Sequence, residues 1–291
     1  MSNHTTRGFI ICCFGVLCSL LACWTDLGFA GYFLDDCQGE STNDMMTGPL
    51  KSVSTRMGDA PVRIVDEYLP SGRLAEQKWN DARNGELQAK LVFDYDANGR
   101  KTKKVKFGRD NAINFSETYF YNEKGFRVGA TLYDKDGSIE TVTVFRCEAD
   151  GKLKGRFQLN TSRNYAVMSS YTHDKNGKLE KEFRQELTEK GLTTTKIART
   201  YGQNGLLLEE IESRSKGLQF VKRVYVYDAQ RNPVSQSNFG PDGRVTDKWM
   251  MEYEFDSHGN WTSRRAKRAI RDGKRNGESV LSERTIIYYS Q

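Results

Sequence analysis

Tyr253-Glu254-Phe255-Asp256-Ser257-His258-Gly259-Asn260-Trp261 sets the architecture. Side chains of alternating character run into an aromatic, an acid and a glycine, and the chain then resumes the alternation. This is a strand, a tight turn and a second strand. The device recurs along most of the 291 residues. Turn glycines stand at Gly72, Gly85, Gly99, Gly125, Gly137, Gly151, Gly177, Gly191, Gly205, Gly217, Gly243 and Gly259. Asn111, Asn164 and Arg231 close the remaining gaps if they take the same left-handed backbone, which asparagine tolerates better than most residues with a side chain. Nine of these fifteen positions have an aromatic four residues earlier, in a chain that is 11% aromatic. The next residue is often an acid or its amide, as at Asp96, Asn122, Asp134, Asp174, Asp228 and Asp256, because a short side-chain oxygen bonds the amides of the turn it opens.

The turns fall 12 to 14 residues apart, with one interval of 16. The pattern predicts an all-β chain of about seventeen antiparallel strands in a long meander. A sheet that wide does not stay flat, so a strongly twisted or curling sheet with a concave aromatic face is expected, with two free edges. The five prolines fall at turns or strand starts, where a missing N–H is harmless. No stretch carries a sustained helical period. With 37% hydrophobic and 28% charged residues, a repeat stacked on its neighbours suits the composition better than a thick core.

The N-terminus reads as an export signal: Arg7 precedes the apolar run Phe9 to Ala22, short for a membrane span. Two processing outcomes stand open. Leu20-Leu21-Ala22-Cys23 resembles a bacterial lipobox with Cys23 as the lipidated residue, whereas Gly28-Phe29-Ala30 offers a signal peptidase site before Gly31. An uncleaved anchor is a third. The expected organisation is therefore a leader over 1–22 (alternatively to 30), a flexible acidic tether over 23–48, and a repeat domain over 49–291. Beyond the leader, Cys37 and Cys147 are the two cysteines that remain, and an oxidising compartment would allow them to pair.

The units Phe93-Asp94-Tyr95-Asp96-Ala97-Asn98-Gly99-Arg100, Tyr225-Val226-Tyr227-Asp228 and Phe239-Gly240-Pro241-Asp242-Gly243-Arg244-Val245 resemble the tyrosine-aspartate (YD) repeats of bacterial RHS-like proteins, with a spacing that drifts toward MORN-like repeats. The resemblance covers roughly Pro49 to Gln291. Asp81, Asn160, Leu187 and Ser213 depart from it by standing in aromatic slots. It implies an exported repeat scaffold with no reaction attached, and no catalytic residue to carry over. Some small repeat proteins of this kind look like immunity proteins that bind a toxin domain.

Candidate chemistry is sparse. Asp94 to Gly99 matches the start of an EF-hand calcium loop, but the twelfth position, which needs a bidentate glutamate, is Val105. His173 and His258 sit beside turns without metal spacing, and Glu209, Glu210 and Glu212 read as a solvated strand. No cofactor, metal or nucleic-acid partner is expected; the net charge of +6 is modest. Two features are candidates for binding a glycan or protein. One is the aromatic row Tyr95, Tyr121, Tyr133, Tyr201, Tyr227 and Phe255, whose rings serve equally to staple hairpins together. The other is the basic cluster Arg264, Arg265, Lys267 and Arg268. The function expected is a non-enzymatic envelope scaffold presenting a binding surface, tied to the membrane by a lipid if Cys23 is processed. An immunity protein or a glycan-active enzyme are the alternatives.

Overall fold

The computed structural model describes residues 35–36, 39–40, 46, 48–215 and 220–290. Eighteen long strands form the body: β1 Leu50–Met57, β2 Val62–Tyr68, β3 Leu74–Asp81, β4 Leu87–Tyr95, β5 Lys101–Gly108, β6 Ile113–Tyr121, β7 Arg127–Asp134, β8 Ile139–Cys147, β9 Leu153–Asn160, β10 Tyr165–His173, β11 Leu179–Thr188, β12 Gly191–Tyr201, β13 Leu207–Arg214, β14 Phe220–Tyr227, β15 Pro233–Phe239, β16 Val245–Phe255, β17 Trp261–Arg271 and β18 Ser279–Tyr288. Each pairs antiparallel with its sequence neighbours. A two-residue ribbon at Lys274–Arg275 extends the β17–β18 connection, and Asp35–Asp36 pairs with Gly39–Glu40 apart from the main sheet.

The all-β, antiparallel expectation holds, but the open meander of about seventeen strands does not. The sheet closes: β18 pairs with β1 from Ser282↔Met57 through Ile286↔Val53 to Tyr288↔Leu50, making an eighteen-stranded barrel. The two free edges expected from the sequence are consumed by this pairing. Accumulated twist brings the first and last strands of a wide sheet together, and closure satisfies the N–H and C=O groups that an edge leaves open. A barrel of this strand number is too wide for side chains to fill.

The hairpin chemistry follows the sequence closely. Fourteen of the fifteen turn positions lie in the described residues, and all fourteen have positive φ, including Asn111 (60°), Asn164 (46°) and Arg231 (71°). Gly217 lies outside the described residues. In the Asp96–Arg100 turn the Gly99 amide donates to the Asp96 carbonyl (2.8 Å) and the Asp96 amide to the Arg100 carbonyl (2.9 Å), a type I turn closed by a left-handed residue and a bulge. The Asp96 carboxylate accepts from the amides of Asn98 (3.0 Å) and Arg100 (2.9 Å), and Asp134, Asp174 and Asp256 each accept from the same two positions of their own turns. At Gly99 the requirement is the backbone angle. Its φ is +77°, and the mobile end of Arg73 from the neighbouring turn lies over the space a Cβ would take.

Candidate interaction surfaces

Buried residues gather on one face of the sheet, among them Val53, Tyr119, Phe145, Val167, Tyr171, Ile197, Tyr225, Trp249 and Ala266. Side chains converge inside a closed sheet and fan apart outside it, so this crowded face is the inner wall. Even-numbered strands all end at one rim, where eight turns of like form connect them to the next strand. At all eight the register slips by one residue, for example between Asp94 and Tyr95 and between Thr200 and Tyr201. These β-bulges re-aim the last residue of each even strand along the inner wall.

Tyr95, Tyr121, Tyr201 and Tyr227 occupy that position. Each hydroxyl donates to the carbonyl at the start of the preceding strand: Tyr95 to Leu74 (2.8 Å), Tyr121 to Lys101 (2.7 Å), Tyr201 to Leu179 (2.9 Å) and Tyr227 to Leu207 (2.9 Å). Tyr253 bonds Pro233 in the same way (2.9 Å) and stacks on Phe255, the fifth aromatic of the expected row. Burial raises the Tyr227 phenol to about 12. The sixth, Tyr133, is placed elsewhere. It stands one residue before the end of β7, at the opposite rim, and pairs with Ser116 on the outer face. The tyrosine hydroxyls are thus engaged within the barrel, as hairpin staples require. Where a cysteine replaces the aromatic, Cys147 is disulfide-bonded, with its Sγ 3.5 Å from the Arg127 carbonyl oxygen. It is the sole cysteine among the described residues; Cys37, the partner the sequence allows, lies outside them, as do Cys23, the leader and most of the tether.

The basic cluster is divided by strand alternation. Arg264 and Arg268 point inward. Arg264 is 2% exposed, lies over Trp261 and donates to Ser282 Oγ at 3.3 Å, while Arg268 covers Trp249 and pairs with Asp247 at 2.7 Å. Arg265 and Lys267 point outward and are exposed. The five-residue stretch is therefore two surfaces rather than one patch.

The sequence hid an ionic chain on the inner wall of β11–β14. Arg184 holds Glu182 at 2.7 Å, and Arg199 bridges Glu182 (3.6 Å) and Glu210 (3.0 Å). Arg223 then binds Glu210 at 2.6 Å and Glu212 at 3.4 Å. Glu210 is fully buried, against the expectation of a solvated strand. Only Glu209 behaves so, pairing with Lys222 on the outer face. The inner carboxylates are thus each tied to arginine. Asp256 accepts from Tyr288, whose ring stacks on His258 with centroids 4.0 Å apart. No group of histidine, cysteine and acid side chains suited to a metal stands among the described residues.

The outer wall has two unlike arcs. Along β2–β5 its mid-strand positions carry Arg63, Glu67, Glu76, Lys78, Lys90, Asp94 and Lys103, and Lys78 bridges Glu67 (2.8 Å) and Glu76 (3.2 Å). Along β6–β12 the outward ladder positions hold no acid. The register there aligns Val142–Leu159–Ala166–Leu187–Leu192 in one row and Phe120–Gly129–Val144–Phe157–Met168 in the next. Phe120, Val144, Phe157, Met168, Leu187 and Leu192 are 45 to 54% exposed, a contiguous apolar surface of the kind that marks contact sites. A third row beside them contains Arg146, Phe183 and Lys196, all exposed.

No family model matches this sequence, and no curated protein matches it. Among solved structures, a porin-like protein from Bacteroides uniformis ATCC 8492 superimposes with a TM-score of 0.47 at 12% identity, over 83% of this chain and 99% of that one. A porin-like protein from Bacteroides vulgatus ATCC 8482 does so with a TM-score of 0.41 at 12% identity, over 69% of this chain and 96% of that one. The TcdB2-TccC3 structure aligns at 12% identity with a TM-score of 0.23, over 72% of this chain but 16% of that one. The YD-repeat resemblance accordingly rests on the sequence units quoted above.

Proposed function

We propose that this chain is an exported, non-enzymatic scaffold of the bacterial envelope and that its binding surface is the outer arc β6–β12. The observation that supports the reading is the acid-free double row of exposed apolar side chains from Phe120 to Leu192. The carboxylates of β11–β14 are locked to arginines and the rim tyrosines to backbone carbonyls, whereas six large apolar side chains of the arc stay about half exposed in two adjoining rows. Export follows from the leader, with attachment through Cys23 if it is processed. A membrane-spanning location disagrees with the neighbouring arc β2–β5, where Arg63, Lys78, Lys90 and Lys103 would each meet lipid at a cost of about 2–4 kcal/mol near the midplane, alongside Glu67, Glu76 and Asp94. The barrel therefore works beside the membrane rather than through it, with a protein or glycan of the envelope, or the bilayer itself, against the arc, and without nucleic acid or cofactor.

The test is a footprint. In the full chain with Cys12, Cys13, Cys18 and Cys23 changed to serine, Met168→Cys and Lys78→Cys report thiol reactivity on the two arcs. Adding host envelope fragments is expected to slow modification at position 168 and leave position 78 unchanged. Equal reactivity at 168 with and without envelopes would falsify the assignment of the arc.

A further inference from the structure

We infer that the occupant of the β6–β12 arc is the surface of an anionic lipid bilayer. This rests on the reading of the arc as a binding surface and names what it binds. Three observations carry it.

First, the arc is amphiphilic in the sense an interface requires. The two apolar rows are bordered along one side by Arg146 and Lys196, with Lys181 in the row beyond, and Phe183 stands between the cations in a shallow groove shared with Ser170, Thr172, Ala198 and Ile211. Apolar side chains that enter the acyl boundary beside cations that stay at the phosphates are the composition of an interfacial surface. Each Lys or Arg near an anionic surface strengthens the contact about fivefold.

Second, the sign of the charge is selective. The rows Phe120–Met168, Val142–Leu192 and Arg146–Lys196 carry no acid, and the acid at the bulged start of β11, Glu180, lies 3.9 Å from Lys181; on β2–β5 acids and lysines alternate and neutralise one another. An arc shaped only for solubility has no reason to exclude acids, and a negatively charged bilayer gives one.

Third, the surface is convex and long across the strands. Seven neighbouring strands at ~4.8 Å spacing span roughly 29 Å around the barrel. Two rigid convex walls meet over only part of such a width. A fluid lipid surface deforms to follow the curve.

The experiment uses the full chain with the four leader cysteines changed to serine and an environment-sensitive fluorophore on Met168→Cys or, in a second protein, on Lys78→Cys. Vesicles of phosphatidylcholine with phosphatidylglycerol, with and without brominated acyl chains, are added. The expected result is a blue shift and bromine quenching at position 168, absence of both at 78, and a loss of about fivefold in partitioning for each of Arg146→Gln and Lys196→Gln. Attachment by the leader alone gives no quenching at either position and overturns the inference. So does protection of position 168 that depends on protein concentration without vesicles, which identifies a second copy as the occupant. Should Met168→Cys not fold, Leu187→Cys in the adjacent row carries the same label. An envelope footprint at 168 combined with no response to lipid vesicles would retain the arc as a binding surface and reject lipid as its occupant.

Discussion

Two chains of opposite charges run across neighbouring strands of this barrel, one on each face. Outside, Glu67, Lys78, Glu76 and Lys90 step across β2, β3 and β4 at 2.8, 3.2 and 3.7 Å, with side chains 21 to 45% exposed. Inside, Arg184, Glu182, Arg199, Glu210 and Arg223 step across β11 to β14 at similar distances, with Glu182, Arg199 and Glu210 at 3% or less. The residue types and cross-strand spacing are alike; the solvent is not. Outside, water and salt already screen each charge, so pairing adds little. Inside, the three central charges, Glu182, Arg199 and Glu210, have been taken out of water and depend on their partners to offset that cost, while Arg184 and Arg223 at the ends stay about a quarter exposed. The worth of an ion pair in this sheet is decided by how far the face it occupies removes it from water.

The largest expected effect comes from breaking the inner chain at its centre. Glu210→Ala leaves Arg199 and Arg223 without their shared carboxylate and is expected to lower the unfolding free energy by about 3–5 kcal/mol, read from urea denaturation. Replacing the three together by apolar residues of similar volume (Glu210→Leu, Arg199→Met, Arg223→Met) is expected to recover most of the loss. A loss under about 1 kcal/mol for Glu210→Ala would mean that water reaches the inner wall, and the contrast between the faces would collapse.

The outer chain answers with smaller numbers. Lys78→Ala is expected to cost about 0.2–1 kcal/mol, and Lys78→Glu somewhat more, since it sets a third carboxylate beside Glu67 and Glu76. Both effects fade in 1 M salt, where the screening length is about 3 Å, while the Glu210→Ala deficit persists. Salt dependence is therefore the sharper measurement: equal sensitivity in the two chains would contradict the assignment of faces.

The same pair of chains shows what could be read from the sequence. The turn chemistry was legible because it is local: Asp96, Gly99 and the asparagines at 111 and 164 act within five residues, and their φ angles and hydrogen bonds follow. Closure was not legible, because it depends on Val53 meeting Ile286, which no local pattern encodes. Nor was the face of Glu210. Counted from the turn glycine, alternation places Leu207 and Glu209 on one face. The bulge at the turn inserts one residue, so Thr200 pairs with Glu209 and Tyr201 with Leu207, which sends Glu210 inward and Glu209 outward. The basic cluster at 264–268 misled for the opposite reason. Proximity in sequence suggested one patch where the strand deals its residues to two faces. The exposed apolar arc was invisible for both reasons, since its rows assemble only once seven strands are in register.

Protonation offers the gentlest probe of the inner wall. Tyr227 faces inward and donates to the Leu207 carbonyl at 2.9 Å, and burial holds its phenol at about 12 against an ordinary value of 10. Because the folded state keeps the proton longer than the unfolded chain, the stability linked to this group is complete below pH 10 and is lost as pH climbs from 10 toward about 12. Tyr227→Phe is expected to cost about 0.5–1.5 kcal/mol at pH 7 through the lost hydrogen bond. The same variant should lose less stability than the parent between pH 10 and 12. Tyr165, Tyr171, Tyr201 and Tyr288, which burial also pushes up, contribute to the slope that remains in both proteins. Denaturation of both proteins at pH 7 and pH 11 measures the crossover. If the two lose stability in parallel, the Tyr227 ring is wet, and the inner wall at that rim resembles the outer one.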